Sequence, residues 1–348
     1  MSVESFIAAM PKVELYVQLE GAYPKETLAF IAEQNDVPLK VKHYDQILRS
    51  LDNPDYARID DLMRNISQWI QQPEDLTRVV YDLGVSLAKQ NVRYAEVGIC
   101  PLYFLDQGIT FEQFLSAIND GRDRVERAWR VRMAWILHIP VNDPRRAEDV
   151  LRWATSTSAR KGGVVGFGVI GPEIASSLED FERVLKTAQK KDIPRVVQAG
   201  NTPEAVQLIV EHLAPERLIG SGVGAEQSDA SRMVSEQKVT YDVAITGTLK
   251  SGLISRIEDH PVRQMLDDGL QVCVGTGLPA LFQTSLTNEY GALIRQLNFS
   301  VGEIQTLCLN AVRASFQEEG AKESMQAEFE AEFTRLRLEH QVTLETTQ

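Results

Sequence analysis

Near the N-terminus, the stretch KVELYVQLEG (Lys12–Gly21) places Tyr16 and Gln18 two residues apart and in phase with Glu14 and Glu20. In an extended strand, residues at a period of two share one face, so these four point to one side and Leu15, Val17 and Leu19 to the other. A phenol, an amide and two carboxylates on one face of an otherwise apolar strand can donate and accept hydrogen bonds, and the acids can move protons. A surface strand would tolerate this pattern; the first strand of a barrel would use it to line a pocket. Similar groups recur where other apolar runs end: Glu96 and Gly98; His138; Gly171 and Glu173; Gln198 and Asn201; Ser221 and Gly222; Thr276, Gly277 and Leu278. For an enzyme working without metal, Tyr16, Glu20, His138 and Glu173 are the candidate acids and bases of this set. It holds one histidine, no paired aspartates and no cysteine at metal-ligand spacing.

The elements that must position these residues alternate regularly. VRYAEVGIC (Val92–Cys100), VRMAWILHI (Val131–Ile139), VVGFGVIG (Val164–Gly171), PRVVQAG (Pro194–Gly200), RLIGSGV (Arg217–Val223), KVTYDVAIT (Lys238–Thr246) and LQVCVGTG (Leu270–Gly277) read as apolar strands, which with the opening strand makes eight. Amphipathic helical patterns lie between them, among them Glu74–Gln90, Thr110–Ala128, Asp143–Ser156, Leu178–Lys191, Pro203–Leu213 and Ala225–Glu236. Apolar strands separated by helices predict a parallel sheet covered on both faces, and eight such units predict a closed α/β (β/α)₈ TIM barrel. Residues 36–72 carry two short helical patterns, around Tyr44–Leu51 and across Ile59–Ile70, and read as a helical insertion. Residues 283–348 read as outer helices, so 1–348 is expected to be one domain with extra helices at both ends.

Lys plus Arg number 36 and Asp plus Glu 49, a net charge of −13, which argues against nucleic acid or an anionic membrane as partner. No apolar run is long enough to span a bilayer, and MSVESFIAAMPK lacks the basic leader of a signal peptide. Cys100, Cys273 and Cys308 stand far apart in apolar contexts, neither a disulfide framework nor a zinc set, and a cytoplasmic setting is expected.

Taken together, the strand ends resemble those of the adenosine and AMP deaminase family, zinc-dependent barrels of the amidohydrolase type. PKVELYVQLEGA resembles the family's PKxELHxHLxGA, VRYAEVGICP its YxEVRxxP, and VVGFGVIGPE its VxGxxLxGxE. VVQAGN resembles HAGE, RLIGSGV resembles RIGHG, and VGTGLPALFQTSLTNEY resembles NTDDPxxFxTxLxxEY. The likeness runs from about Met10 to Phe333. It implies the barrel, a purine or nucleoside substrate and zinc.

The residues the family uses for chemistry are replaced. Its two first-strand zinc histidines fall on Tyr16 and Gln18, its fifth-strand histidine on Gln198 and its eighth-strand aspartate on Gly277. The acid–base glutamate falls on Asn201, the sixth-strand histidine on Ser221, the second-strand arginine on Gly98 and the second aspartate of the final turn on Leu278. Glu14, Glu20, Gly21, Glu96, Gly171, Glu173, Gly200, Gly220, Gly222, Pro279 and Tyr290 are kept. Zinc lowers the pKa of bound water from about 15.7 to about 7, and at about 1.4 kcal/mol per unit this is roughly 12 kcal/mol of activation. A neutral amide, a protonated phenol and a glycine do not supply the imidazole, thiolate or carboxylate that zinc prefers. Asn201 and Ser221 cannot exchange protons near pH 7.

The expectation is therefore a deaminase-like pseudoenzyme without zinc or hydrolytic deaminase activity, retaining a small-molecule pocket. The pocket candidates are Tyr16, Gln18, Glu20, His138, Gly171, Glu173, Gln198, Asn201 and Ser221, and no cofactor is expected. Tyr16, Gln18, Gln198, Asn201 and Ser221 are expected to form one neutral hydrogen-bonded network in place of the metal. His138 reads as a rim histidine, and His43, His212, His260 and His340 as surface residues. Asp229, Asp242 and Glu226 read as solvated or structural. Gly168 and Gly171 allow close backbone approach, to a flat base or to a neighbouring strand. The alternatives are a metal-independent enzyme using Tyr16, His138, Glu20 and Glu173, a deaminase with unconventional ligands, and a protein acting through its surface. Homo-oligomerisation through the outer helices stays open.

Overall fold

A computed structural model describes residues 2–347 apart from Pro172, Glu173 and Gln227, and gives no side-chain account of Ser176 and Ser228. Eight strands form one parallel sheet in chain order: β1 Lys12–Gln18, β2 Val92–Ile99, β3 Arg132–Pro140, β4 Val164–Ile170, β5 Arg195–Gln198, β6 Arg217–Gly220, β7 Thr240–Val243 and β8 Val272–Val274. The sheet closes where Val17 bridges Gly277 and the Gln18 amide donates to the Gly277 carbonyl at 2.8 Å. The result is a (β/α)₈ TIM barrel.

Local chemistry places the helix starts. Thr110 and Gln113 cap the helix Phe111–Trp129 reciprocally, as Ser300 and Glu303 cap Val301–Ala314, and Pro73 opens Pro73–Lys89. Where the expected helix Asp143–Ser156 should run on, Ser156 instead accepts from the Ala159 amide and starts a second helix, Thr157–Lys161. The seventh and eighth strands are shorter than the apolar runs suggest. β7 stops at Val243 because Ile245–Lys250 is already helical, and β8 at Val274 because Thr276 and Gly277 turn back to the Tyr16 carbonyl. Among the described residues, no helix is long and apolar enough to cross a membrane.

The floor of the barrel interior is charged. Arg217 Nη2 donates to Glu96 Oε2 at 2.7 Å with both side chains fully buried, and the guanidinium lies over the Phe316 ring, 4.3 Å from its centre. Tyr94 Oη donates to Glu96 at 3.0 Å. Thr276 donates to both oxygens of Glu14 through its amide and hydroxyl. Asp242 is equally buried, yet neither carboxylate oxygen has a hydrogen-bond partner among the described residues. Burial pushes its carboxyl up to about 7 against the pull of Arg217. Of the two readings offered for Asp242, solvated or structural, burial excludes the solvated one. Above the floor, Ile136, Val196 and Ile219 form a small apolar layer in contact with Tyr16 and Ile170.

Candidate functional site

At the C-terminal ends of the strands lies a cavity of about 270 Å³. Tyr16, Gln18, Gln198, Asn201 and Ser221 line it, as do Ile170, Ile219 and Leu278. Its roof is the segment read as an insertion: Tyr56, Ala57, Ile59, Asp60 and Met63 face the cavity from the turn Tyr56–Arg58 and the helix Ile59–Ser67. Tyr56 Oη donates to the Leu281 carbonyl at 3.2 Å, and its ring packs 5.7 Å from that of Phe282, which tethers the roof to the segment after β8. Gly247, Thr248, Ser251 and Leu253 complete the wall after β7. Sequence reasoning missed these roof and wall residues. The apolar spacing Ile59–Met63 was the available signal, one helical turn of an amphipathic face.

The polar residues do not join into one network. Gln18 Nε2 donates to Glu20 Oε2 at 2.6 Å, and the Cys100 amide donates to Glu20 Oε1 at 2.7 Å. Gln18 Oε1 is then an acceptor, so His138 Nδ1, 2.8 Å away, carries the proton; this tautomer follows from the hydrogen-bond pattern. Separately, Gln198 Oε1 accepts from the Gly171 amide at 2.9 Å. Ser221 Oγ donates to Asn201 Oδ1 at 2.8 Å and accepts from the Val223 amide. Tyr16 joins none of these groups among the described residues, and burial followed by the nearby Asp242 and Asp60 raises its phenol.

Glu20, His138 and Gly171 stand behind the wall rather than on it. After Gln18 the chain turns into the 3₁₀ segment Leu19–Gly21, which ends the alternation and carries the fully buried Glu20 away from the cavity. Burial pushes the Glu20 carboxyl up to about 7. His138 is buried, not a rim residue, and burial with the charge of Arg217 pushes it down to about 3, so the ring is neutral. Two glycines make its slot. A Cβ at Gly98 would sit 2.4 Å from both Gln18 Oε1 and His138 Cε1, and one at Gly168 would sit 2.5 Å from His138 Cδ2. His260 is buried as well, beside Thr248, whereas His43 and His212 are exposed. Glu173 lies outside the described residues.

The donors present do not fit zinc. Both ends of the Gln18 amide are engaged by His138 and Glu20, Gln198 Oε1 is engaged by a backbone amide, and Gly277, at φ +63°, has no side chain to offer. Among the described residues, no three His, Cys, Asp or Glu side chains gather in a group that could hold a metal ion.

An eight-stranded barrel with its cavity at the C-terminal rim has the architecture of amidohydrolase-fold proteins. Residues 11–331 match the family model described as adenosine deaminase, and the chain belongs to that family. It is 28% identical over 331 residues to the aminodeoxyfutalosine deaminase of Streptomyces avermitilis, covering 94% of this chain and 92% of that protein. It is 25% identical over 327 residues to an adenosine deaminase of Clostridium perfringens, covering 91% of this chain and 97% of that one. A crystal structure of an amidohydrolase from Burkholderia ambifaria with bound Zn superposes with a TM-score of 0.88 at 21% identity, over 98% of this chain and 95% of that one.

Proposed function

We propose that this barrel binds a purine- or nucleoside-like small molecule at its C-terminal rim and does not carry out the zinc-dependent hydrolytic deamination for which its relatives are named. The observation that carries this reading is the commitment of Gln18: an amide bonded at both ends stands on the face where the family resemblance places a zinc ligand. The cavity supports a ligand: it is concave, mixes apolar walls with neutral hydrogen-bonding groups, and is reached through the rim. Relatives named adenosine deaminase support a nucleoside as its class.

A metal-independent enzyme finds less support. Of the acids and bases proposed for it, Glu20 and His138 lie behind the wall, and Tyr16 faces the cavity as a phenol held in its protonated form. Nucleic acid and membrane partners are disfavoured by the charge of −13. Three buried, unpaired cysteines support a reducing, cytoplasmic setting.

The test combines a thermal-shift screen of purines and nucleosides with an ammonia-release assay on the same samples in added zinc. The expected result is a raised melting temperature with at least one such compound and no ammonia. Ammonia release that a chelator abolishes would overturn the reading.

A further inference from the structure

We propose that the cavity selects an unphosphorylated ligand, neutral or cationic, and that Asp60 on its roof sets this choice. The inference rests on the reading that the cavity binds a nucleoside-like molecule. It names the charge that molecule can carry.

The walls offer neutral polar groups, Tyr16, Gln198, Asn201, Ser221, Thr248 and Ser251. Among the described lining residues, Asp60 is the one side chain that carries a charge near neutral pH, and no Lys, Arg or His is present. Phosphate esters are held by Arg forks, by Lys, by metal ions or by free amides at a helix N-terminus. The nearby cations are directed elsewhere. Arg58 Nη2 pairs with Asp61 at 3.0 Å, and Arg64 donates to Asn142 at 3.1 Å while lying over the Tyr103 ring. The short helix Ile245–Lys250 starts beside the cavity, but its Thr246 amide already donates to Glu289 Oε2 at 2.9 Å. A carboxylate therefore fills the place an anionic ligand would need.

Asp60 forms no ion pair or hydrogen bond among the described residues; desolvation and Asp61 raise its carboxyl, Arg64 pulls it down, and its charge reaches the Tyr16 phenol. It stands exposed at the mouth, so anything entering passes it. A phosphate dianion would meet this carboxylate, and Arg64, the cation whose charge reaches Asp60, is already engaged by Asn142 and the Tyr103 ring, whereas an uncharged sugar or an amine would meet a hydrogen-bond acceptor.

The test measures dissociation constants by calorimetry for adenosine and adenosine 5′-monophosphate, and for matched pairs of other purine nucleosides and their 5′-monophosphates. Wild-type protein, Asp60→Asn and Asp60→Arg are compared at low and moderate salt. The expected result is at least about tenfold weaker binding of each monophosphate to the wild type, one unit in log Kd. Asp60→Asn narrows that gap, Asp60→Arg closes or reverses it, and added salt narrows it in the wild type. Asp60 lies in the first turn of Ile59–Ser67 and feels Arg64, so Asp60→Arg should lower the unliganded melting temperature a little and Asp60→Asn less; unchanged affinity for the unphosphorylated nucleoside separates charge from misfolding. A monophosphate that binds the wild type as tightly as its nucleoside, or a gap that Asp60→Arg leaves unchanged, overturns this inference and leaves the binding function standing. If neither member of any pair binds, the binding function fails and the inference falls with it.

Discussion

The two ends of the barrel interior have been built to different rules. Glu14 and Gln18 lie on the same strand, β1, and point to the same side, yet Glu14 belongs to a floor of buried charges and Gln18 to a rim of neutral groups. On the floor, the Arg217–Glu96 pair is sealed from water and held by Tyr94, Phe316 and the Ala314 carbonyl. Removing one partner there leaves a bare charge in an apolar setting, so the set persists or the fold suffers. The rim groups were needed by the family resemblance for chemistry alone, and amides, hydroxyls and glycines can replace them if each finds a hydrogen bond. Gln18, Gln198 and the Asn201–Ser221 pair each do. Ancestry is therefore written in the floor, and the rim is where the proposed binding is placed.

This contrast gives an order of effects. Arg217→Met should be the most damaging change, costing about 3–5 kcal/mol by denaturant unfolding because Glu96 is left buried without its partner. A loss below about 1 kcal/mol would mean that the floor is not held by charge. At the rim, Gly98→Ala should cost about 1–3 kcal/mol by overpacking, since its Cβ would fall 2.4 Å from Gln18 Oε1. The readout specific to the slot is the His138 imidazole resonance, which should shift as the Gln18 bond breaks.

Asp242 links the two ends and adds a pH dependence. Its folded carboxyl titrates at about 7 and its unfolded one near 3.9, so between these values the folded chain holds a proton that the unfolded chain has released. The Asp242 contribution to stability must then fall as pH rises through that window, opposed below about pH 6.5 by His138 and His260, which burial pushes down to about 3. Asp242→Asn should flatten the fall, gaining about 1–3 kcal/mol on the wild type between pH 5 and pH 8, the scale of an unpaired buried polar group. Glu20, also pushed up to about 7, keeps part of the slope in the variant. Parallel stability curves for the two proteins would rule out Asp242 as the source. The smallest effect belongs to the surface. Arg232→Ala breaks an exposed pair with Asp229 and should change stability by less than about 0.5 kcal/mol.

The barrel was legible because each strand is a short apolar run followed by an amphipathic helix, a pattern set by neighbours in sequence. The rim positions Tyr16, Gln18, Gln198, Asn201 and Ser221 were legible for the same reason: they end those runs. What sequence could not reveal depends on distant contacts. The roof is fixed by Tyr56 reaching Leu281, and nothing local to residues 36–72 announces that partner. Gly98 read as a lost arginine, but its missing Cβ is what gives His138 room. Glu20 was misplaced because strand alternation was continued past Gln18, where the backbone had already begun to turn. His260 looked like a surface residue because its cover, Thr248, lies in the preceding helix and packs on it only after the chain has folded back.

The most direct measurement is the zinc content of the purified protein by elemental analysis, after equilibration with excess zinc and removal of free metal. A rim whose amides are already bonded to His138, Glu20 and the Gly171 backbone predicts zinc far below one equivalent per chain. One tightly held zinc per chain would contradict it.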